Sequence, residues 1–224
     1  MIDIIKFQYK LLLAEKATLI YIGFIFAVCT VVPFCWPERF FAFVSILSLN
    51  FVVQIGPRLF VGEKENDTLE TLLSTPYRVE TIFMGKTLFC FSILCIMFFA
   101  SIGVTALSSV IFHLVIFSGN RAETVINVVL IPFAFFAASY HSAYTSLKSD
   151  DSKVCAVKLI EIMILYAVLV YFVLTVFTVE PKTVAIGLIL LYIIVTFGIL
   201  VILHFKIRKI LKKSIIFSRL GRIS

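Results

Sequence analysis

Apolar positions along the 224-residue chain gather into six long blocks separated by short polar breaks. The blocks run from about Ala17 to Trp36, Phe40 to Phe60, Ile82 to Phe112, Val125 to Leu147, Cys155 to Phe177 and Thr183 to Phe205. A helix needs roughly 20 apolar residues to cross the hydrocarbon core of a bilayer. Every block meets that length, and the third exceeds it. The pattern predicts an all-α membrane protein of six transmembrane helices, built as a single domain over residues 1–224.

Ahead of the first block, residues 1–16 show a different pattern. Asp3, Lys6 and Lys10 share one helical face, and Ile4, Phe7 and Leu11 share another. Ile5 and Leu12 widen the apolar face, and Gln8 interrupts it. This segregation predicts an amphipathic helix lying in the membrane interface. A cleaved secretory signal would show a short apolar region and a small-residue cleavage site instead.

Composition agrees with the block pattern: 61% of residues are hydrophobic, 15% are charged, and mean hydropathy is +1.10. A soluble domain holds about 45–50% apolar and about 25% charged residues. Charge adds an orientation. With the N-terminus placed in the cytoplasm, 17 of the 20 lysines and arginines fall on the cytoplasmic side, leaving Arg39, Arg121 and Lys182 outside. The positive-inside rule then predicts a multi-pass protein of the cytoplasmic membrane with both termini inside. Seven of the positives crowd residues 206–224, a basic tail suited to anionic lipid. Only Phe217 interleaves with them, so a nucleic-acid partner is not indicated.

Bond-making chemistry has no sequence signature here. The chain contains no GxxxxGK[ST] phosphate loop, no HExxH and no GxSxG elbow. His113, His141 and His204 are scattered, and the five cysteines lack CxxC spacing, so no catalytic residue and no metal site is predicted. Polar residues inside the blocks are the candidates that remain. Asn50, Gln54 and Arg58 recur every four residues down the second block, with Pro57 able to bend it. They read as a translocation path or gate, or as interhelical hydrogen bonding. Ser101, Thr105 and Ser109 repeat the spacing in the third block and read as a close-packing stripe. Tyr140, His141, Tyr144 and Thr145 read as an interfacial belt. Lys158 and Glu161, three apart, can pair, and Glu161 is a further path or gate candidate.

The connection over residues 62–86 stands apart. It holds five of the thirteen acids: Glu63, Glu65, Asp67, Glu70 and Glu80. Asp67 with Glu70 three residues on has the form of a capping box. Leu69, Leu72 and Leu73 follow on one face, and Pro76 ends the segment. The expected helix has about two turns, roughly 12 Å, which is too short to span. Acids resting on an anionic leaflet would be repelled, so a groove on a protein partner suits this helix better.

The stretch GEKENDTLETLLSTPYRVETIFMGKTL resembles the connection after the second span of ABC type-2 exporter permeases. The matching residues are Glu63, Glu65, Thr68, Leu69, Glu70, Leu72, Leu73, Thr75, Pro76, Gly85 and Lys86, while Asp67 stands where that family commonly has Gly. The resemblance implies a coupling helix between spans two and three, docking on a separate soluble ABC ATPase through Glu63, Glu65, Asp67, Thr68, Leu69, Glu70, Leu72, Leu73 and Pro76. It further implies two ATPase copies that hold ATP and Mg, and a second copy of this permease or a related one. The chain itself would then bear no cofactor and catalyse nothing. Many relatives carry re-entrant helices or an outer domain between spans five and six, where only Val179 to Lys182 stands here. An amphipathic or lipid-like cargo (a small peptide, a toxin or a drug) suits so compact a permease. A haem-exporter subunit of cytochrome c maturation is a similar relative. Outside the transporters, the alternatives are a membrane-embedded enzyme using Glu161 and His141, and an immunity or scaffold protein.

Overall fold

The computed structural model describes residues 2–35, 40–65, 79–111, 121–176 and 182–220. These residues form seven helices and no strand: α1 (Ile2–Ala14), α2 (Lys16–Cys35), α3 (Phe40–Glu65), α4 (Val79–Ile111), α5 (Arg121–Lys148), α6 (Ser152–Val176) and α7 (Lys182–Leu220). Five of them, α3 to α7, are long and apolar enough to cross a membrane. The protein is therefore an all-helical, membrane-embedded, multi-pass protein. The first expected span coincides with α2, which meets α1 at 87°; those two pass the same length and hydropathy test only when taken together.

Helix α3 is the axis of the bundle. Val44, Leu49, Phe51, Val52, Ile55, Leu59, Phe60 and Val61 are all buried, on every side of the helix but the strip of Asn50, Gln54 and Arg58. Pro57 lies inside it. A proline ring presses on the carbonyl four residues back and loosens the local ladder. Just beyond it, the N–H groups of Phe60 and Val61 donate to Ser146 Oγ of α5, at 3.0 and 3.3 Å. One turn earlier Gly56 meets both neighbours: a Cβ there would strike Leu159 of α6 and come within 2.5 Å of Ser142 Oγ of α5. The absence of a side chain at Gly56 is what leaves room for the Leu159 and Ser142 side chains of the two neighbouring helices.

Packing thins outward from this axis. The α3 span is 61% buried, the α6 span 28% and the α7 span 17%. Helix α7 attaches along one stripe, Tyr192, Thr196, Leu203 and Ile207, while Ile186, Leu190, Ile194, Phe197, Val201 and Phe205 are exposed. Its bonds to α5 are Tyr192 Oη to the Leu130 carbonyl (3.0 Å) and Tyr140 Oη with His204 Nδ1 (2.9 Å). Tyr140 is thus a buried link between helices; of the other residues expected in an interfacial belt, Thr145 is buried and His141 and Tyr144 are half-buried. The expected packing stripe on α4 is present at Ser101 and Thr105, both fully buried. Helix α7 also runs on as helix to Leu220, well into the basic tail.

Helix α1 packs one side on the bundle and leaves another open. Ile4 and Gln8 face the bundle, whereas Phe7, Leu11, Ile2 and Leu13 are exposed. Ile4 packs over Gly85 of α4, where an added Cβ would sit 3.1 Å from its side chain. Ser92 Oγ donates to the Phe89 carbonyl, so Tyr9 Oη donates to Ser92 Oγ at 2.7 Å, and the Tyr9 and Phe89 rings meet edge to face. Glu15 ends the helix and forms an ion pair with Arg58 of α3. Gln8 interrupts the apolar stripe of Ile4 and Leu12, and it is buried with Ile4 on the side that faces the bundle.

The Gly56 crossing makes a test. Gly56→Ala should lower stability by about 1–3 kcal/mol through overpacking against Leu159 and Ser142. Gly103→Ala, where an added Cβ meets nothing within 4 Å, should be neutral or slightly stabilising. Thermal unfolding of the two variants in the same detergent measures the contrast.

Candidate functional site

Glu63, Lys64 and Glu65, the last three residues of α3, carry charge, and each grips a different part of the bundle. The carboxylate of Glu63 pairs with the ammonium of Lys86 on α4. Lys86 is fully buried; it also donates to the Leu59 carbonyl and lies over the Phe60 ring, 4.3 Å from its centroid. A carboxylate, a carbonyl and an aromatic face thereby replace water around a buried cation. Lys64 Nζ donates to the carbonyls of Leu147 and Ser149, both at 2.8 Å, and to Asp150 Oδ1 at 3.0 Å. Cations are favoured at the carbonyl end of a helix, which here is the end of α5.

Glu65 closes the set at the start of α6. Its Oε1 accepts from Ser152 N (2.9 Å), and its Oε2 accepts from Ser152 Oγ (2.6 Å). Asp151 caps the same helix: its Oδ1 accepts from Lys153 N at 2.6 Å and Val154 N at 3.4 Å. Two carboxylates at the positive end of α6 are favourable there. The end of α3 is therefore joined to α4, to the last turn of α5 and to the first turn of α6.

Of the residues expected at the ATPase-coupling connection, Glu63 and Glu65 are in this joint, turned toward the protein's own helices. Asp67, Thr68, Leu69, Glu70, Leu72, Leu73 and Pro76 lie outside the described residues. The polar stripe on α3 keeps the expected spacing: Asn50 is half-buried, Gln54 is exposed, and Arg58 is exposed and paired with Glu15. These side chains occupy the open strip of an otherwise buried helix. Glu161 is exposed on α6. Lys158 is exposed too, and among the described residues the two form no ion pair, contrary to the expected pairing. Three residues apart on a helix allows such a contact but does not oblige two long, exposed side chains to make it.

Lys86 matches the resembled motif but is not among the site residues that the sequence predicts. It was counted as one more cytoplasmic positive charge. A discernible signal existed, since Lys86 falls among Ile82, Phe83, Phe89 and Cys90, well inside an apolar run. Deeper in the bundle, the His141 ring meets Tyr166 of α6 edge-on at 6.2 Å. His141 Nδ1, Ser142 Oγ and Tyr166 Oη are buried without a hydrogen-bond partner. Among the described residues no three His, Cys, Asp or Glu side chains converge on a common point. No family model, curated protein or solved structure matches the chain.

Glu63 and Lys86 make a double-mutant test. Glu63→Leu alone should cost about 3–5 kcal/mol, because it leaves a buried ammonium without its anion. Adding Lys86→Met should recover most of that loss, since an apolar pair can replace a buried ion pair at little cost. Unfolding midpoints of the two single variants and the double variant measure the coupling.

Proposed function

We propose that this protein is the permease subunit of an ATP-driven exporter of the ABC type-2 kind, in the cytoplasmic membrane. The observation that carries the reading is the Glu63–Lys86 ion pair. It fastens together the two ends of the connection over 62–86, the stretch that resembles the family's coupling region. A segment that receives force from a partner needs a firm joint where it leaves the bundle, and buried, paired charges in a packed core form such a joint. The bonds of Lys64 and Glu65 extend the same joint to α5 and α6.

In this reading α2 is the first of six crossings, α1 lies in the cytoplasmic interface, and both termini are cytoplasmic. Exposed Phe7, Leu11 and Leu13 suit lipid contact, and Lys6 and Lys10 suit anionic headgroups. The Asp67–Ser74 region docks on a soluble ATPase that holds ATP and Mg, with two copies of each subunit in the assembly. Closure of the ATPases would tilt α3 and α4, moving an amphipathic or lipid-like cargo between two permease copies. The polar strip of Asn50 and Gln54 suits the wall of that path, because polar side chains exposed to lipid are costly.

The chain expressed from its own locus should co-purify with a soluble protein bearing a phosphate loop. Leu72→Ala with Leu73→Ala should weaken that association by roughly thirtyfold, equivalent to about 2 kcal/mol for a central apolar anchor. Membrane insertion of the variant should be unchanged. Purification that yields no such ATPase, or full association of the double variant, would sink the coupling assignment. Orientation has a separate test: a cysteine placed at Glu180 should react with a membrane-impermeant thiol reagent in intact cells.

A further inference from the structure

Helix α6 has two faces. Cys155, Leu159, Ile162, Tyr166 and Val170 are buried against the bundle. On the other side Val154, Val157, Glu161, Ile164, Val168 and Tyr171 are all exposed, spaced alternately three and four residues apart. That spacing is the seam of a left-handed helix pair, the geometry of coiled coils and of most membrane bundles. Its apolar members suit lipid as well as protein, but Glu161 does not. It stands inside the apolar span Ser152–Phe172, about 13 Å along the helix from Ser152 at 1.5 Å per residue. A carboxylate turned toward hydrocarbon at that depth is costly, and a cation beside it removes the cost. Lys158 is exposed on the same side, one turn nearer Ser152, and within one copy the two side chains form no ion pair.

From this arrangement we infer that the exposed face of α6 is the contact between two copies of the chain, closed by reciprocal ion pairs between Lys158 of each copy and Glu161 of the other. Two copies inserted in the same orientation meet about a two-fold axis along the membrane normal, so their α6 helices run parallel and present the same residues to each other. Each Glu161 carboxylate then accepts from the ammonium that reaches up from one turn below on the facing helix. Two acids and two bases make a neutral set, shielded from lipid by Val157 and Ile164 on the turns to either side. Valine and isoleucine recur along the rest of the seam, and β-branched side chains pack well in a parallel pair. A charged position inside an apolar seam fixes its register, since sliding by one turn would strand all four charges in hydrocarbon. The seam names the surface on which the second copy sits, and it rests on the two-copy assembly proposed above.

The test expresses two differently tagged full-length chains in one membrane and measures how much of one is recovered with the other. The unsubstituted chains should pair. Glu161→Lys on both tags, or Lys158→Glu on both, should lower recovery by roughly tenfold, because like charges then face each other across the seam. With Glu161→Lys on one tag and Lys158→Glu on the other, both ion pairs re-form in reverse, and recovery should return. An ion pair made within each copy predicts no such rescue. Equal recovery from every combination would mean that lipid covers the face, and loss without rescue would also overturn the seam. A second measurement needs no charge change: Val168→Cys should give a disulfide-linked dimer on mild oxidation that the unsubstituted chain lacks, and Ile202→Cys, exposed on α7, should not. Absence of the Val168→Cys dimer would remove the seam even if the charge variants failed to insert. The same eluates read the exporter assignment separately. An ATPase recovered with unpaired copies would discard the seam alone, whereas paired copies without any ATPase would discard the exporter and keep the seam.

Discussion

The ammonium of Lys86 is fully buried in the bundle, and taking a charge out of water costs several kcal/mol unless anions and carbonyls take water's place. That demand sets much of the surrounding geometry. Glu63 must be on the adjacent turn of α3, the Leu59 carbonyl must turn toward α4, and the Phe60 ring must present its face. Because these three partners all belong to α3, the register of α3 against α4 is specified by one side chain. A purely apolar contact would tolerate sliding by a turn; a buried ion pair with a carbonyl and a ring does not.

The same logic extends through the two residues that follow. Lys64 and Glu65 satisfy helix termini, one at the carbonyl end of α5 and the other at the amide end of α6. Termini are where helices hold backbone groups without intrahelical partners. In water, solvent would serve them; near a membrane, a neighbouring side chain is the more dependable partner. The end of α3 thus completes the hydrogen bonding of two other helices, while Ser146 Oγ of α5 accepts from the N–H groups of Phe60 and Val61 just beyond Pro57. The four helices depend on one another at this end for groups that none can satisfy alone.

The helical class, the approximate positions of the crossings and the spacing of the α3 stripe were legible in the sequence, because bilayer thickness and helical period leave little choice. Which face of each helix turns inward was not. In a soluble protein the apolar face is the buried one, but here lipid and protein interior are both apolar, so that rule loses its force. Helix α7 exposes Ile194 and Phe197 and buries Tyr192 and Thr196, and α1 exposes Phe7 and buries Gln8. The better guide within such blocks is the polar or small residue, as at Gly56, Tyr140 and Lys86. Lys86 was missed for a related reason: counting charges by side says nothing of their depth. The pairing of Lys158 with Glu161 was over-read, since spacing permits a contact that exposed side chains have little reason to hold.

The low burial of α6 and α7 beside α3 and α5 bears on the order of assembly. Ribosomes deliver α3 before α5 and α6 exist, so the helix destined for the centre enters the membrane with its Gly56 face uncovered. At that moment it has only the partners already made, and the contacts among α1, α3 and α4, namely Ile4 over Gly85, Tyr9 with Ser92, Glu15 with Arg58 and Glu63 with Lys86, need nothing synthesised later. The first half of the chain can therefore settle into a subassembly whose open groove around Gly56 awaits the second half. Helix α7, attached by a single stripe, can join last without disturbing anything already in place.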